Sequence, residues 1–194
     1  MLERGIYWIK GSNGCGKSTL LKSIAGLLSF NGDILFNGQS VKKNSTAYKS
    51  VVNFSDAEPL FPLFLTGREM VNLFVQAKNA TKMQEQQYIE EMKMQYYLEE
   101  QIGSYSSGML KKLSLLLAFL GKPQLILLDE PFITIDKEAL TVLYNWIKRK
   151  YEKENTAFLI TSHNNVQQKE LSTLREITIE EQTLILEKHV FPAN

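Results

Sequence analysis

Residues 11–19 read GSNGCGKST, and this short stretch decides the fold. It matches the pattern G-x-x-x-x-G-K-[ST], in which small residues let backbone N–H groups converge on one anion. The segment before it, GIYWIK at 5–10, has the β-branched and aromatic composition of a buried strand. The segment after it, LLKSIAGLL, has helical spacing up to Gly26. The order strand, loop, helix predicts a phosphate site at the positive end of a helix.

The polar positions of this loop have distinct predicted roles. Lys17 is expected to reach the β- and γ-phosphates, and the Ser18 hydroxyl is expected to ligate Mg²⁺. The other loop residues are expected to surround the phosphates: Gly11, Ser12, Asn13, Gly14, Cys15, Gly16 and Thr19. Cys15 is the only cysteine and has no partner thiol, so we interpret it as a small loop residue.

A second candidate segment, LILLDEP, begins at residue 125. Its continuous apolar run is typical of a parallel strand that is covered on both faces. Asp129 ends the run, and a carboxylate at that place can hold Mg²⁺. Glu130 is one residue further on and can deprotonate an attacking water molecule. Together with the loop, this acidic pair predicts a site for phosphoryl chemistry.

The order of the remaining elements predicts the fold class. Strands alternate with helices at both ends of the chain, whereas residues from about 66 to 120 are mostly helical. This pattern predicts one α/β domain over 1–194, a parallel sheet with a helical insertion at about 66–120. Within the insertion, Thr66 and Glu69 have the spacing of a capping box.

Several shorter predictions complete the assignment of elements. We expect strands in GDILF between the turns Asn31-Gly32 and Asn37-Gly38, at 51–54 and in TAFLIT at 156–161. We expect helices at 81–100, in MLKKLSLLLAFL before Gly121 and at 137–154, and one or two edge strands after residue 174.

Composition limits the possible classes of function. The 194 residues carry 22 Lys and Arg against 21 Asp and Glu, a net charge of +1. This balance argues against a dedicated nucleic-acid-binding protein, which usually has a clustered basic excess. The single cysteine excludes an intrachain disulfide framework and fits a reducing compartment. No apolar run reaches 18 residues and the segment MLERGIYWIK lacks an apolar h-region, so we expect neither a membrane-spanning segment nor a signal peptide.

These motifs resemble the nucleotide-binding subunit of ATP-binding-cassette (ABC) transporters over nearly the whole chain. GSNGCGKST is similar to the Walker A loop of the P-loop NTPases, and LILLDEP is similar to Walker B with its catalytic Glu130. FITID, which ends at Asp136, resembles the D-loop, and His163 follows the next strand, where the family has its switch histidine. The resemblance implies that ATP and Mg²⁺ are bound and that ATP is hydrolysed.

YSSGM at 105–109 stands where the family usually has its LSGGQ signature. By resemblance, Ser106, Ser107 and Gly108 contact ATP on a second subunit, although Ser107 replaces a glycine. The family also has a glutamine that touches Mg²⁺; Asp56 stands there, and Glu58 is a competing candidate. The resemblance further implies an earlier strand whose aromatic residue stacks on adenine. The chain starts just before GIYWIK, so we expect a fold short at its N-terminus, with Tyr7 and Trp8 packed in the sheet.

The resemblance implies a cytoplasmic subunit, peripheral at the inner face of the cell membrane, that powers a separate permease. It would act as a dimer with a second ATPase subunit, identical or different, and would contact the membrane only through the permease and bind no nucleic acid. LTGRE at 65–69 is similar to cassettes of drug, antibiotic or haem exporters, which favours export. The alternatives are a soluble cassette that acts on nucleic acid or ribosomes, and a small-molecule kinase.

Two apolar groups allow more than one interpretation. Leu60, Phe61, Leu63, Phe64 and Leu65 form either a loop folded onto the core or part of a docking patch. Tyr88, Met92 and Tyr96 are spaced by four residues, as expected for either a buried helix face or a face that contacts a partner.

Overall fold

The fold is a six-stranded sheet with helices on both faces, and the computed structural model describes residues 3–163, 171, 173–180 and 183–186. The strands are β1 (Ile6–Lys10), β2 (Leu35–Phe36), β3 (Gln39–Ser40), β4 (Val52–Ser55), β5 (Leu125–Asp129), β6 (Ala157–Thr161), β7 (Leu174–Glu180) and β8 (Thr183–Leu186). The helices are α1 (Lys17–Ile24), α2 (Ser45–Val51), α3 (Gly67–Ala77), α4 (Lys82–Glu91), α5 (Ser107–Phe119) and α6 (Lys137–Glu154), with 3-10 turns at Met94–Tyr96 and Ile102–Ser104.

The main sheet has the strand order β4-β5-β6-β1-β7-β8. Neighbouring strands from β4 to β7 are parallel, and β8 alone pairs antiparallel, with β7. The inner strands β5 and β6 are fully buried because helices cover both faces of the sheet. This arrangement confirms the predicted α/β class with a parallel sheet. It also places the carboxyl ends of β1, β4, β5 and β6 along one edge, where ligands of such sheets bind.

The core has one layer on each face of the sheet. Trp8 belongs to the layer beneath α5 and α6, which is centred on Trp146 and Phe119. Tyr7 belongs to the opposite layer, which includes Leu21 of α1. Successive residues of a strand point to opposite faces, so these neighbours fill different layers. The prediction that both pack in the sheet is confirmed.

Helices α3, α4 and α5 lie between β4 and β5 and form the predicted insertion. The capping box is present: Thr66 accepts a hydrogen bond from the Glu69 amide, and the Glu69 carboxylate accepts one from the Thr66 amide at 2.8 Å.

The predicted strand at 51–54 appears as β4, and the predicted helix at 137–154 is α6. None of the helices described is long and apolar enough to cross a membrane.

The predicted single helix over 81–100 is wrong. Helix α4 ends at Glu91, and Lys93 takes a left-handed conformation with φ 57° before the 3-10 turn. Met92 and Met94 are both buried, and a continuous helix would place them about 200° apart. Tyr88, Met92 and Tyr96 therefore do not form one helix face. Tyr88 and Met92 are buried in the core, whereas Tyr96 is 79% exposed.

Two further predictions need correction, and one helix was not predicted. The strand expected in GDILF is reduced to β2, which pairs only with the equally short β3 around the Asn37-Gly38 turn. Helix α2 was not expected, since residues 45–51 contain several polar and β-branched residues. In the tail, β8 is an edge strand as predicted, but β7 is an inner strand that pairs with β1 and β8.

Replacing Thr66 by alanine tests the capping box. Thr66→Ala removes the hydroxyl oxygen that accepts a hydrogen bond from the Glu69 amide, so we expect the free energy of unfolding to fall by about 1 kcal/mol. Urea denaturation measures this change. Thr141→Ala, on the exposed face of α6, is the control and should stay within about 0.5 kcal/mol of the parent. An equal loss in the two variants would contradict the assigned role.

Candidate functional site

The glycine-rich loop lies between β1 and α1, at the carboxyl edge of the sheet. Gly16 is the N-cap of α1 with φ 104°, a left-handed conformation that favours glycine, and no side chain caps this helix end. A Cβ atom at Gly11 would lie 2.5 Å from Cys15 Sγ and 2.9 Å from the Ile179 carbonyl. The loop is therefore tightly wound, and the first N–H groups of α1 remain available to an anion.

Lys17 is drawn into this loop and is largely buried. Its Nζ donates hydrogen bonds to the carbonyls of Gly11 at 2.8 Å and Ser12 at 3.0 Å. Cys15 Sγ is 3.9 Å away. The ammonium group thus lies inside the loop, where it can meet a bound phosphate.

Asp129 joins three elements at the centre of the site. Its side chain is at the end of β5, and the residue is 1% exposed. Its Oδ1 accepts hydrogen bonds from Ser18 Oγ at 3.1 Å and Thr161 Oγ1 at 2.6 Å. Its Oδ2 is also buried and has no hydrogen-bond partner among the residues described. Burial of an unpaired carboxylate oxygen is costly, so Asp129 Oδ2 is a position for a cation or a bound water molecule.

The donor set fits Mg²⁺ when a phosphate chain completes it. The described part of the chain contains no group of three His, Cys, Asp or Glu side chains that could hold a metal ion. Mg²⁺ is commonly bound by one or two carboxylates together with substrate phosphates and water. Ser18 Oγ and Asp129 Oδ2 would hold it here, next to the loop that is shaped for the phosphates.

Glu130 and His163 lie side by side at the same edge. The Glu130 backbone has φ 45°, unusual for a residue with a side chain, and its amide donates to Thr161 Oγ1 at 3.1 Å. Glu130 Oε2 accepts a hydrogen bond from the His163 backbone amide at 3.2 Å. His163 Nε2 is 3.3 Å from Oε1, a contact without hydrogen-bond alignment, and the imidazole is half exposed. The predicted base and the predicted switch histidine are therefore in contact.

Asp56 follows β4 directly, and Ser55 pairs with Leu128 in the register of β4 and β5. Asp56 therefore lies level with Asp129 at the carboxyl edge. Its Oδ2 forms an ion pair with Lys22 Nζ of α1 at 2.9 Å. The competing candidate, Glu58, has an exposed side chain and contributes its amide to Asp56 Oδ1 at 3.3 Å. Of the two carboxylates, Asp56 is the one at the strand end.

Lys111 is a member of the site to which the sequence motifs assigned no role. It is 1% exposed, and its Nζ donates to the carbonyls of Asp129 at 2.8 Å, Asp56 at 2.8 Å and Ala57 at 3.4 Å. Burial lowers the pKa of the Lys111 ammonium group to about 8. The signal in the sequence was a cation inside the strongly apolar run MLKKLSLLL.

The signature-like turn begins α5 on the exposed surface. Ser106 is the N-cap and accepts a hydrogen bond from the Met109 amide at 3.3 Å. Ser106 and Ser107 are exposed, and within the described ranges no hydrogen bond joins them to the loop at 11–19. A Cβ atom at Gly108 would lie 2.9 Å from the Thr134 carbonyl, so packing within the chain already favours glycine there. Lys112 pairs with Asp136 at 2.6 Å, which links α5 to the start of α6.

The apolar loop at 60–65 combines the two expected arrangements. Phe61 and Leu65 pack against the core. Leu60, Leu63 and Phe64 are exposed, by 95%, 65% and 74%. The loop therefore folds onto the core and also presents three large apolar side chains to the surface.

The phosphate loop, the acidic strand end and the helical insertion define a nucleotide-binding domain of the cassette type, and comparison with known proteins agrees. The family model described as "ABC transporter" matches residues 2–133, more than half of the chain. The chain therefore belongs to the ABC transporter family, as the sequence motifs predicted.

Individual relatives extend this result. The chain is 33% identical over 167 residues to the cytochrome c biogenesis ATP-binding export protein CcmA of Legionella pneumophila, covering 84% of this chain and 80% of that protein. It is 31% identical over 169 residues to ABC transporter A family member 1 of Dictyostelium discoideum, of which it spans only 19%.

Two solved structures share the fold. One is an ATP-binding subunit of an ABC transporter, with a TM-score of 0.82 and 22% identity, covering 94% of this chain and 79% of that one. The other is a dimeric ATP-binding cassette in a post-hydrolysis state bound to ADP and Pi, with a TM-score of 0.77, 16% identity and coverage of 97% and 89%. They support the predicted fold class.

Gly108→Ala tests the contact between α5 and the segment before α6. Helix propensity alone favours alanine by about 1 kcal/mol, but the new methyl group would press against the Thr134 carbonyl. We therefore expect the free energy of unfolding to fall by about 1–3 kcal/mol in denaturant titration. The neighbouring exposed variant Ser107→Ala should change it by less than about 0.5 kcal/mol. A gain in stability for Gly108→Ala would show that the contact is absent.

Proposed function

We propose that this chain is the ATP-binding and ATP-hydrolysing subunit of a transporter and that it powers a separate membrane permease. The observation that carries the proposal is the convergence of Ser18 and Thr161 on the buried Asp129 carboxylate, next to the Lys17 loop. This arrangement combines a cradle for phosphates with one unpaired carboxylate oxygen for a cation. Membership of the ABC transporter family supports the same assignment.

Each site residue has a proposed part in hydrolysis. The loop at 11–19 and the N-terminus of α1 bind the phosphates, and Lys17 offsets their negative charge. Bound Mg²⁺ would neutralise charge that develops on the phosphate oxygens. Glu130 orients a water molecule and accepts its proton, and His163 stands beside it to contact the γ-phosphate. The Glu130 amide is bound to Thr161 and its carboxylate is bound to the His163 amide. These two hydrogen bonds and the strained backbone hold the carboxylate in one orientation.

We propose further that two ATPase subunits, identical or different, close around each nucleotide. The turn formed by the exposed Ser106 and Ser107 and the half-buried Gly108 would contact ATP held by the loop of the other subunit. The turn is available for this because no hydrogen bond within the described residues ties it to its own loop. A related fold is dimeric in its post-hydrolysis state.

The permease would dock at the inner face of the membrane, against the helical insertion. The exposed Leu60, Leu63 and Phe64 lie in the loop that directly precedes this insertion. Closure of the dimer would move the insertion and thereby the permease. Export is the favoured direction, from the LTGRE segment at 65–69 and because the Legionella relative is named an export protein. No observation favours the alternative of a soluble cassette that acts on nucleic acid or ribosomes.

We also propose Asp56 as a metal contact that acts in place of the family's glutamine. It lies level with Asp129 on the adjacent strand, and hard cations favour carboxylate oxygens. Its ion pair with Lys22 holds the carboxylate at this edge.

Glu130→Gln tests the catalytic assignment. The amide keeps the shape of the side chain but cannot accept the proton, so hydrolysis should fall by about 100-fold or more while ATP still binds. With saturating ATP and Mg²⁺, light scattering should show dimers. Glu138→Gln, an exposed carboxylate on α6, should hydrolyse ATP at the parental rate. A variant at Glu130 that stays monomeric, or that retains full activity, would count against the mechanism.

Asp56→Ala tests the second metal contact. We expect the Mg²⁺ concentration for half-maximal ATP hydrolysis to rise about tenfold, because a carboxylate near the cation is lost. Glu58→Ala is the matched control and should leave this concentration unchanged. If Glu58→Ala raises this Mg²⁺ concentration and Asp56→Ala does not, Glu58 is the metal contact and the proposal for Asp56 is wrong.

A further inference from the structure

Lys111 has an environment that the mechanism above does not explain. It lies in the second turn of α5, where the other buried residues are apolar except Ser114. All its hydrogen bonds go to backbone carbonyls, those of Asp56, Ala57 and Asp129. In the part of the chain that the structure describes, no carboxylate lies within salt-bridge distance of its Nζ.

A fully buried ammonium group without a carboxylate partner is costly, and an apolar residue would usually serve the core better. Lys150 provides the comparison within this chain. It is equally buried, at 0% exposure, but it pairs with Glu154 at 2.7 Å and caps the Gly121 carbonyl at 3.0 Å. The Asp56 and Asp129 carboxylates, by contrast, are directed to other partners, Lys22 for Asp56 and Ser18 and Thr161 for Asp129. Lys111 therefore binds the backbone of these residues and does not occupy their carboxylate oxygens.

The Asp56 and Asp129 carbonyls that Lys111 binds lie where the pairing between β4 and β5 ends, although Asp129 still pairs with Thr161 of β6. The last paired residues of β4 and β5 are Ser55 and Leu128, immediately before Asp56 and Asp129. Beyond this pair, no further pairing between β4 and β5 fixes the distance between the two strand ends. The Lys111 ammonium group supplies this link, because it donates to Asp56 on one side and to Asp129 on the other.

The same side chain fixes α5 to the site. Further along α5, Ser114 Oγ hydrogen-bonds Ser55 Oγ at 2.9 Å, and Asn53 Nδ2 donates to the carbonyls of Ala118 at 2.8 Å and Leu120 at 3.0 Å. Lys111 is the end of this row nearest the carboxyl edge, one turn after the exposed Ser106 turn. The row holds α5 against β4 in a single register.

We propose that Lys111 is a positioning residue: its ammonium group holds the ends of β4 and β5 at one spacing, so that the Asp56 and Asp129 carboxylates face the same cation, and it fixes the signature-like turn of α5 to that edge. The inference rests on the proposed function. It assigns Lys111 no contact with ATP or with the metal ion.

Calorimetry of the purified full chain with a non-hydrolysable ATP analogue, with and without Mg²⁺, tests this role. For Lys111→Met, the affinity without Mg²⁺ should match the parent, whereas the gain in affinity on adding Mg²⁺ should shrink about tenfold, the usual cost of losing support behind a metal ligand. Lys111→Arg keeps a cation and should recover part of the gain. Lys111→Gln, which keeps one donor group, replaces the methionine variant if that variant does not fold.

Lys150→Met is the control for removal of a buried lysine. It should lower the melting temperature and leave the effect of Mg²⁺ unchanged. If the Lys111 variants keep the parental gain with Mg²⁺, or if Lys150→Met loses it equally, the positioning role is wrong although the proposed function stands. If the parent chain itself does not bind the analogue, the proposed function fails, and this inference fails with it.

Discussion

The buried carboxylate of Asp129 is the interaction on which the rest of the site depends. It accepts hydrogen bonds from Ser18 at the start of α1 and from Thr161 at the end of β6. One side chain therefore joins the phosphate loop to the ends of β5 and β6. Removal of one partner from such a network is costly, because the remaining buried group is then unpaired. The same network leaves Asp129 Oδ2 buried and without a hydrogen-bond partner among the described residues, which is why we propose this oxygen as a cation ligand.

Around this centre, the sheet brings together residues that are far apart in sequence. The carboxyl ends of parallel strands share one edge, and the residues that directly follow β1, β4, β5 and β6 lie there. Glu130 and His163 are in contact for this reason, although 33 positions separate them. Lys111 joins the ends of β4 and β5 by hydrogen bonds, from a helix whose exposed N-terminus is proposed to contact the other subunit.

The sequence predicted the parts of the fold that are fixed by local chemistry. The loop at 11–19, β5 and α6 follow from spacing and apolar period alone. The early end of α4 and the inner place of β7 depend on tertiary packing, which no local pattern contains. Within the site, motifs indicated Asp129 and Glu130 but not Lys111, whose partners are backbone carbonyls without a sequence signature. The glycine at 108 is expected from the signature-like motif, and the structure adds a second reason for it, because a Cβ atom there would press against the Thr134 carbonyl.

The most direct measurement is a crystal structure of the chain with Mg²⁺ and a non-hydrolysable ATP analogue. The account predicts that the triphosphate lies in the loop at 11–19, against Lys17, with the metal ion bound by Ser18 and Asp129. It also predicts that Lys17 leaves at least one of the two loop carbonyls it now contacts in order to reach the phosphates. A nucleotide bound elsewhere, or an empty loop at saturating concentrations of the analogue, would contradict the assignment of this edge as the nucleotide site.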